Sequence, residues 1–155
     1  PQQREIGFVF QDYALFDNMS VEENLLYVNE DRALAKRLLE LTELTQLASR
    51  NVKGLSGGQK QRVSLCRAMM KKPKLLLMDE PLSALDPAMR IKLKDEILKL
   101  HRTFGTTTIM VSHDMEVAYQ LADRILVLDH GNLIADGTPD EIFTKSSTVT
   151  YTLNI

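Results

Sequence analysis

Short apolar runs alternate with amphipathic helical patterns along most of this chain. Because strands that alternate with helices form mostly parallel sheets, the pattern predicts an α/β fold. A buried strand is expected at residues 5–10, and further strands at 74–79, 106–111, 124–129 and 132–135, the last two joined by a turn. Helices are expected at residues 59–72, 86–104, 114–122 and from Thr138 onward.

The region between the first two predicted strands carries only helical signals. Ser20 with Glu23 three residues later is a capping box, which predicts the start of a helix. Residues 32–49 have leucines at helical spacing, with a break expected near Thr42. The sequence therefore predicts a helical subdomain inserted into an α/β core, with bounds of 12–58 for the subdomain, 1–11 and 59–145 for the core, and 146–155 for a tail.

Composition and charge are those of an ordinary soluble globular protein. Apolar residues make up 44% of the 155 residues, and the formal net charge is −2. Nucleic-acid-binding domains usually carry a basic excess, so we expect no nucleic acid partner. Cys66 is the only cysteine and cannot form an internal disulfide, and we expect it to be a packed core residue. With no export signal in the sequence, a cytoplasmic location is expected.

Both ends of the sequence look like cut positions. The chain starts at Pro1 without a methionine and runs at once into a predicted strand. It stops within the β-prone segment 148–155, which has no closing turn. The alternative is a complete small protein with strand-like termini. Of the two, we expect a sequence that is cut at both ends.

Polar side chains follow three of the predicted strands. Gln11 follows the first strand, Asp79 and Glu80 end the second, and His113 follows the third. In parallel sheets such residues gather at the carboxyl edge, where ligands bind. An acid pair there can hold a metal ion and polarise a water molecule. The segment Leu55–Gln59 places a serine and two glycines before a helix, where backbone N–H groups can bind an anion. Together these features indicate nucleotide phosphate chemistry.

The same residues resemble the motifs of ABC transporter ATP-binding subunits. Leu55–Gln59 resembles the ABC signature loop, Leu75–Asp79 resembles the Walker B motif, and Ser83–Asp86 resembles the D-loop. The resemblance covers nearly all of residues 5–145 and implies a P-loop NTPase-like fold. No G-x-x-x-x-G-K-[ST] Walker A motif occurs in the 155 residues. We therefore expect a partial ABC ATPase domain that binds ATP poorly and is inactive by itself, although its parent protein is an ATPase.

The resemblance also implies a role for each motif residue. Asp79 would hold Mg²⁺, Glu80 would polarise the attacking water, and His113 would contact the γ-phosphate. Gln11 would reach both Mg²⁺ and that water. The signature loop would contact ATP on the partner subunit, and the D-loop would contact that subunit itself; the residues assigned are Ser56, Gly57, Gly58, Gln59 and Asp86. Three of these motifs also have a structural alternative: a flexible loop that caps a helix, acids at a strand end that cap the next loop, and a histidine that is structural or merely exposed.

The resemblance extends to the parent protein. It implies two ATPase subunits, expected to form a homodimer, that power an integral membrane permease from the cytoplasmic face. The segment 12–21 looks like that of importers for oxyanions such as molybdate or sulfate, and for polyamines. Tyr13, Leu15 and Phe16 are candidate permease contacts, or else core residues of the insert. The tail would begin an accessory β domain. Two alternatives are a soluble ABC-type ATPase that acts on nucleic acid or the ribosome, and a binding scaffold without turnover.

Overall fold

The computed structural model describes residues 5–145, so the predicted tail lies outside the described residues. The chain forms two compact units, Pro1–Val111 and Ser112–Ile155. The elements of the first unit are β1 (Ile6–Val9), α1 (Val21–Leu26), α2 (Arg32–Leu41), two 3₁₀ turns (Thr45–Leu47 and Val52–Gly54), α3 (Gly57–Met69), β2 (Leu75–Asp79), α4 (Pro87–Phe104) and β3 (Thr107–Val111). Those of the second unit are α5 (Met115–Leu121), β4 (Ile125–Asp129), β5 (Asn132–Gly137) and α6 (Pro139–Lys145).

The first unit is built on the parallel sheet that the sequence predicts. Its strand order is β1-β2-β3, with β2 in the centre. Ile6 pairs with Leu75, and Leu75 pairs with Thr107 on its other side. Between β1 and α3 the described residues form helices and turns, with a single isolated bridge from Ser20 to Asn51. The chain therefore leaves the sheet after β1 and returns to it through α3. The bounds of the predicted subdomain remain a prediction.

The two faces of this sheet differ in burial. Val9 and Met78 are buried on the face that packs against α3. Phe8 is 50% exposed and Ile109 is 54% exposed on the opposite face. The prediction of a buried strand at residues 5–10 is therefore wrong for one of its faces. Successive side chains of a strand point to opposite sides, and among the described residues helix packing covers only one of them. Phe8 stacks on Phe10 at 5.6 Å between ring centroids, which partly shields both rings.

Local capping explains where the helices begin and end. The capping box at Ser20 is confirmed, with the Glu23 N–H donating to Ser20 Oγ at 3.2 Å. The predicted break near Thr42 is also confirmed, because α2 ends there and a 3₁₀ turn follows. Asp86 caps α4 by accepting the Met89 N–H at 3.0 Å. α4 ends at Gly105, whose φ of 62° is easily adopted only by glycine.

The second unit contains an antiparallel hairpin packed on a short helix. β4 pairs with β5 through a turn at His130-Gly131, as predicted. Ile125 and Val127 of β4 pack with Ile142 of α6 in a small apolar core.

A cluster of buried polar side chains joins α2, α3 and α4 in the first unit. Thr42 at the end of α2 donates from Oγ1 to the Leu38 carbonyl at 2.9 Å, and this hydroxyl lies 3.2 Å from Cys66 Sγ. Burial raises the pKa of the Cys66 thiol to about 12, so the prediction of a packed core cysteine is confirmed. Arg62 of α3 and Glu96 of α4 lie beside them as an ion pair, with 3.6 Å between Arg62 Nη1 and Glu96 Oε1.

Glu96 has an unusual environment for a carboxyl group. Neither of its oxygen atoms has a hydrogen-bond partner among the described residues. Burial raises its pKa from the ordinary 4.5 to about 7, and the nearby Glu43 carboxylate acts in the same direction. The cationic groups of Arg62, Lys92 and Lys99 oppose this shift. Burial outweighs them because the charged carboxylate loses water without gaining a hydrogen-bond donor.

This raised pKa predicts a pH-dependent stability. The folded state keeps the Glu96 proton to a higher pH than the unfolded state, so its contribution is complete below pH 4.5 and is lost as pH rises through about 7. The free energy of unfolding is measured by urea denaturation at each pH for the protein and for Glu96→Gln. The value for the protein minus the value for the variant should decline across this window. A difference between the two proteins that stays constant or grows with pH would contradict the assignment.

Candidate functional site

The parallel sheet brings two of the predicted site residues to one edge. Asp79 is the last residue of β2, and its carboxylate is exposed there. Gln11 lies two residues beyond the end of β1 in a turn, and it is also exposed. Because β1 and β2 run in parallel, both residues lie at the carboxyl edge of the sheet. His113 belongs to the second unit, so its predicted role at this edge remains a prediction.

Glu80 has a strained backbone directly after β2. Its φ is 46°, a left-handed conformation that residues other than glycine rarely adopt. Hydrogen bonds on both sides hold it there. Its N–H donates to the Val111 carbonyl at 3.1 Å, and its own carbonyl accepts the Ser83 N–H at 3.3 Å and the Ser83 hydroxyl at 3.0 Å. Such strain persists only where the surroundings enforce it, and it is concentrated at functional sites.

The loop before α3 is a well-formed helix cap rather than a flexible segment. Ser56 Oγ accepts the Gln59 N–H at 3.3 Å, while Gln59 Oε1 accepts the Ser56 N–H at 2.9 Å. This second capping box was not predicted, although a serine followed by a glutamine three residues later could have indicated it. Ser56 and Gly57 are exposed at the N-terminus of α3, whereas the Gln59 N–H is taken by the Ser56 hydroxyl. An exposed helix N-terminus of this kind can bind an anion.

The two glycines of this loop have different surroundings. Gly58 is buried, and a Cβ added to it would lie 2.6 Å from Met89 Cε and 3.7 Å from Leu85 Cδ2. Leu85 belongs to the predicted D-loop and Met89 to the helix that follows it. A Cβ on Gly57 would instead lie 3.1 Å from the hydroxyl of Tyr13, near Gln11. The structure thus packs the signature loop against two other motif segments, a contact that no local sequence pattern signals.

The segment after Gln11 lines a cavity beside the start of α3. Tyr13 and Ala14 both have positive φ values, 65° and 46°, so this loop is strained at two non-glycine residues. The cavity has a volume of about 260 Å³ and is lined by Asp12, Tyr13, Ala14, Leu15, Asp17, Val52 and Lys60. Phe16 lies outside this lining and is held by contacts of its own. Its ring is 4.6 Å from that of Tyr27, and the guanidinium of Arg67 is 5.3 Å from its centroid.

The donor set at the sheet edge is compatible with Mg²⁺ but not with a metal held by protein ligands alone. Within residues 5–145 there is no group of three His, Cys, Asp or Glu side chains that could hold a metal ion. Mg²⁺ is commonly bound through one or two carboxylates together with phosphate oxygens and water. The exposed carboxylate of Asp79 and the amide oxygen of Gln11 fit such a partial shell.

Comparison with known proteins identifies the family. The sequence profile described as "ABC transporter" matches residues 1–83, more than half of the chain. The chain belongs to the ABC transporter family. This agrees with the fold, since solved ABC structures share it. The cbiO1 protein of Clostridium perfringens, described as part of the ABC transporter complex cbiONQ, is 30% identical with a TM-score of 0.84 over 91% of this chain and 60% of that one.

A second ABC structure is that of the ATP-binding cassette MJ0796, a dimer in a post-hydrolysis state bound to ADP and Pi. It is 32% identical to this chain, with a TM-score of 0.74 over 88% of this chain and 63% of that chain. The partial ABC ATPase fold predicted from the sequence is therefore confirmed.

Curated ABC proteins match over nearly the whole chain. The "Fe(3+) ions import ATP-binding protein FbpC 2" of Rhizobium meliloti is 49% identical over 96% of this chain and 40% of the relative. The "Spermidine/putrescine import ATP-binding protein PotA" of Borreliella afzelii is 44% identical over 96% of this chain and 45% of the relative. Others are named for import of sn-glycerol-3-phosphate, trehalose/maltose and sulfate/thiosulfate. The chain spans less than half the length of these relatives.

The contact between Gly58 and Met89 predicts an energetic coupling in this ABC chain. Gly58→Ala should lower the free energy of unfolding by about 1 kcal/mol, because the added methyl group overpacks the terminal methyl of Met89. In a Met89→Ala background the same change should be neutral or stabilising by a few tenths of a kcal/mol, since alanine favours the helix. A double-mutant cycle measured by denaturation checks this, and simply additive effects would contradict the packing role.

Proposed function

We propose that this chain is part of the ATP-binding and ATP-hydrolysing subunit of an ABC importer. The observation that carries the proposal is the geometry of the first unit. An exposed helix N-terminus at Ser56 lies in the same compact unit as Asp79 and the strained Glu80. Membership of the ABC transporter family and the import names of the relatives support it. No observation favours a soluble ATPase that acts on nucleic acid or the ribosome, or a scaffold without turnover.

In the proposed mechanism, the residues at the sheet edge orient water and the exposed loop binds phosphate. Glu80 accepts a hydrogen bond from the attacking water, which raises its nucleophilicity and directs it at the γ-phosphate. Asp79 and Gln11 would hold Mg²⁺, which neutralises negative charge on the phosphate oxygens when it is bound. His113 contacts the γ-phosphate. The N–H groups at the start of α3 stabilise negative charge on the phosphate.

The signature loop is proposed to serve ATP on a second subunit of the same kind. Ser56 and Gly57 are exposed and Gln59 is half-buried, so this loop is accessible to a second subunit. Asp86, exposed at the start of α4, is proposed to contact the partner while it caps its helix. The dimeric state of the similar cassette bound to ADP and Pi supports such an arrangement.

A membrane permease is the second proposed partner. No helix within the described residues is both long and apolar enough to span a membrane. The cavity beside α3 is proposed to receive side chains of a permease helix, and Tyr13 and Leu15 in its lining are half-buried. Phe16, which packs against Tyr27 and Arg67, is proposed to flank this surface. The subunit would act at the cytoplasmic face of the membrane.

The cargo is proposed at two levels. An importer is the coarser proposal, and the names of the relatives support it although their cargoes range from Fe³⁺ to polyamines, sugars and sulfate. An oxyanion such as sulfate or molybdate is the finer proposal, which rests on the segment 12–21. The segment 12–21 carries a resemblance to such importers rather than a cargo contact, because a permease and not the ATPase would select the cargo.

The first test of this function is Glu80→Gln in the full-length protein. The amide keeps the shape of the side chain but cannot accept the water proton, so hydrolysis should slow by about 100-fold or more. ATP binding should stay close to that of the wild type. Turnover and nucleotide affinity are measured in parallel, and near-normal turnover would exclude Glu80 as the catalytic base.

A mixed dimer tests whether the signature loop acts in trans. One subunit carries Ser56→Arg, which blocks the phosphate-binding loop by size and charge, and the other carries Glu80→Gln. In the trans arrangement one composite site collects both changes and the other stays intact. The mixed dimer should then hydrolyse ATP at up to about half the wild-type rate, if the two sites act independently, while neither mutant homodimer does.

The mixed dimer is purified through two affinity tags, one on each subunit. Both mutant homodimers are purified by the same procedure and serve as controls. If the loop served its own subunit instead, each site of the mixed dimer would carry one change. The mixed dimer would then be as inactive as the two homodimers.

A further inference from the structure

Arg62 makes three contacts that join three segments of the first unit. Its Nε donates to the carbonyl of Gly58 at 3.3 Å, and Nη1 donates to the carbonyl of Thr42 at 3.3 Å. Nη1 also lies 3.6 Å from Oε1 of Glu96. The side chain of Arg62 is only 7% exposed, so these contacts are made away from water. A single guanidinium therefore links the end of α2, the first turn of α3 and the middle of α4.

Each of the carbonyl contacts has a physical reason. The last carbonyl groups of a helix have no partner within it, and a cation near them is favourable. Thr42 ends α2, so the guanidinium of Arg62 supplies a donor that α2 lacks. Gly58 lies in the first turn of α3, four residues before Arg62 on the same side of the helix. A guanidinium can serve both carbonyl groups because its N–H groups diverge in a rigid plane.

The same geometry shows how the buried positive charge of Arg62 is compensated. Leaving a guanidinium uncompensated in the interior would cost several kcal/mol. Glu96 lies on α4, the helix that follows the D-loop; it is 6% exposed and supplies the opposite charge when its carboxyl group is ionised. Yet its oxygens accept no hydrogen bond from the described residues, so the pair is poorly optimised as a source of stability. The donors of Arg62 are directed at the two carbonyl groups instead.

We propose that Arg62 is a positioning residue that sets the placement of the signature loop relative to the end of α2 and to α4. Arg62 is buried and acts through Gly58, the glycine that packs against Leu85 and Met89. A displacement of α2 or α4 would thus reach the phosphate-facing N-terminus of α3 through this side chain. The part of this inference that concerns ATP hydrolysis rests on the proposed function, whereas the positioning itself does not.

Backbone hydrogen exchange of the full-length protein tests the positioning without reference to activity. Arg62→Lys keeps the charge opposite Glu96 but cannot donate to two carbonyl groups in the same fixed plane. It should speed exchange of the amides at residues 59–62 by about tenfold, the effect of weakening one charge-assisted hydrogen bond. Exchange in the second half of α4 should stay within about twofold, because a local change does not open the whole unit.

A double variant separates positioning from stability. Arg62→Met with Glu96→Leu removes both buried charges and fills the space with apolar groups, which usually leaves a fold as stable as before. Local exchange at residues 59–62 should still be faster by about tenfold, since the Gly58 carbonyl has lost the guanidinium as its second donor and the Thr42 carbonyl has lost its bond to α3. The matched control is Lys99→Gln, which removes an exposed positive charge near Glu96 on α4.

ATP hydrolysis by the same variants supplies the second readout. For the double variant the maximal rate should fall by about tenfold or more while the Kd for ATP stays within about twofold, because the displaced loop acts on the transition state and not on the nucleotide held by its own subunit. Lys99→Gln should leave both values unchanged.

The possible outcomes are distinguishable. If exchange at residues 59–62 rises selectively but the wild type hydrolyses no ATP, the positioning holds and the proposed function fails. If the double variant regains wild-type exchange and turnover together with stability, Arg62 is an ordinary buried residue and the inference is overturned. A uniform rise of exchange across α3 and α4, in proportion to lost stability, would overturn it as well.

Discussion

The first unit depends on the burial of one helix, α3, on nearly every side while its first turn stays exposed. α3 packs against β1, α1, α2 and α4, and nine of its thirteen residues are buried. Such a helix fixes the relative positions of the helices and the strand that pack against it, because close-packed interiors transmit small displacements rather than absorb them. The exposed turn at Ser56 therefore has a defined position, although it is formed by small residues that would be mobile in a free loop. A phosphate site needs this property, since preorganised donors require no rearrangement when charge develops.

The sequence predicts the elements of this fold well where the signals are local. The break after α2, the capping box at Ser20 and the stop at Gly105 depend on residues within one turn of each other, and all three are confirmed. The burial of β1 was predicted wrongly, because a continuous apolar run indicates a strand covered on both faces. Periodicity reports which side chains are apolar, and it carries no information on what packs against each face.

The candidate site is only partly predictable for a similar reason. Motif spacing predicts a phosphate loop and an acid pair at the end of β2, because that chemistry requires these residue types near one another, and these roles remain predictions. The contact of Gly58 with Met89 and the link from Arg62 to Glu96 join positions more than thirty residues apart. No local pattern marks such contacts. The strain at Glu80 was equally invisible, since sequence rules assign left-handed backbone to glycine and asparagine rather than to glutamate.

The two glycines of the signature loop are subject to different physical constraints, which the sequence motif alone does not distinguish. Glycine next to a phosphate site is usually explained by close approach of the ligand. At Gly57 that explanation fits, because the residue is exposed and its only close neighbour is the Tyr13 hydroxyl. At Gly58 the side-chain position is occupied by the terminal methyl of Met89, so packing favours a small residue before any nucleotide binds. Adjacent glycines can thus be favoured for opposite reasons, one to admit a ligand and one to admit a neighbouring helix. The second constraint acts in the absence of nucleotide and couples the loop to the helix after the D-loop, and the proposed role of Arg62 would extend that coupling to the end of α2.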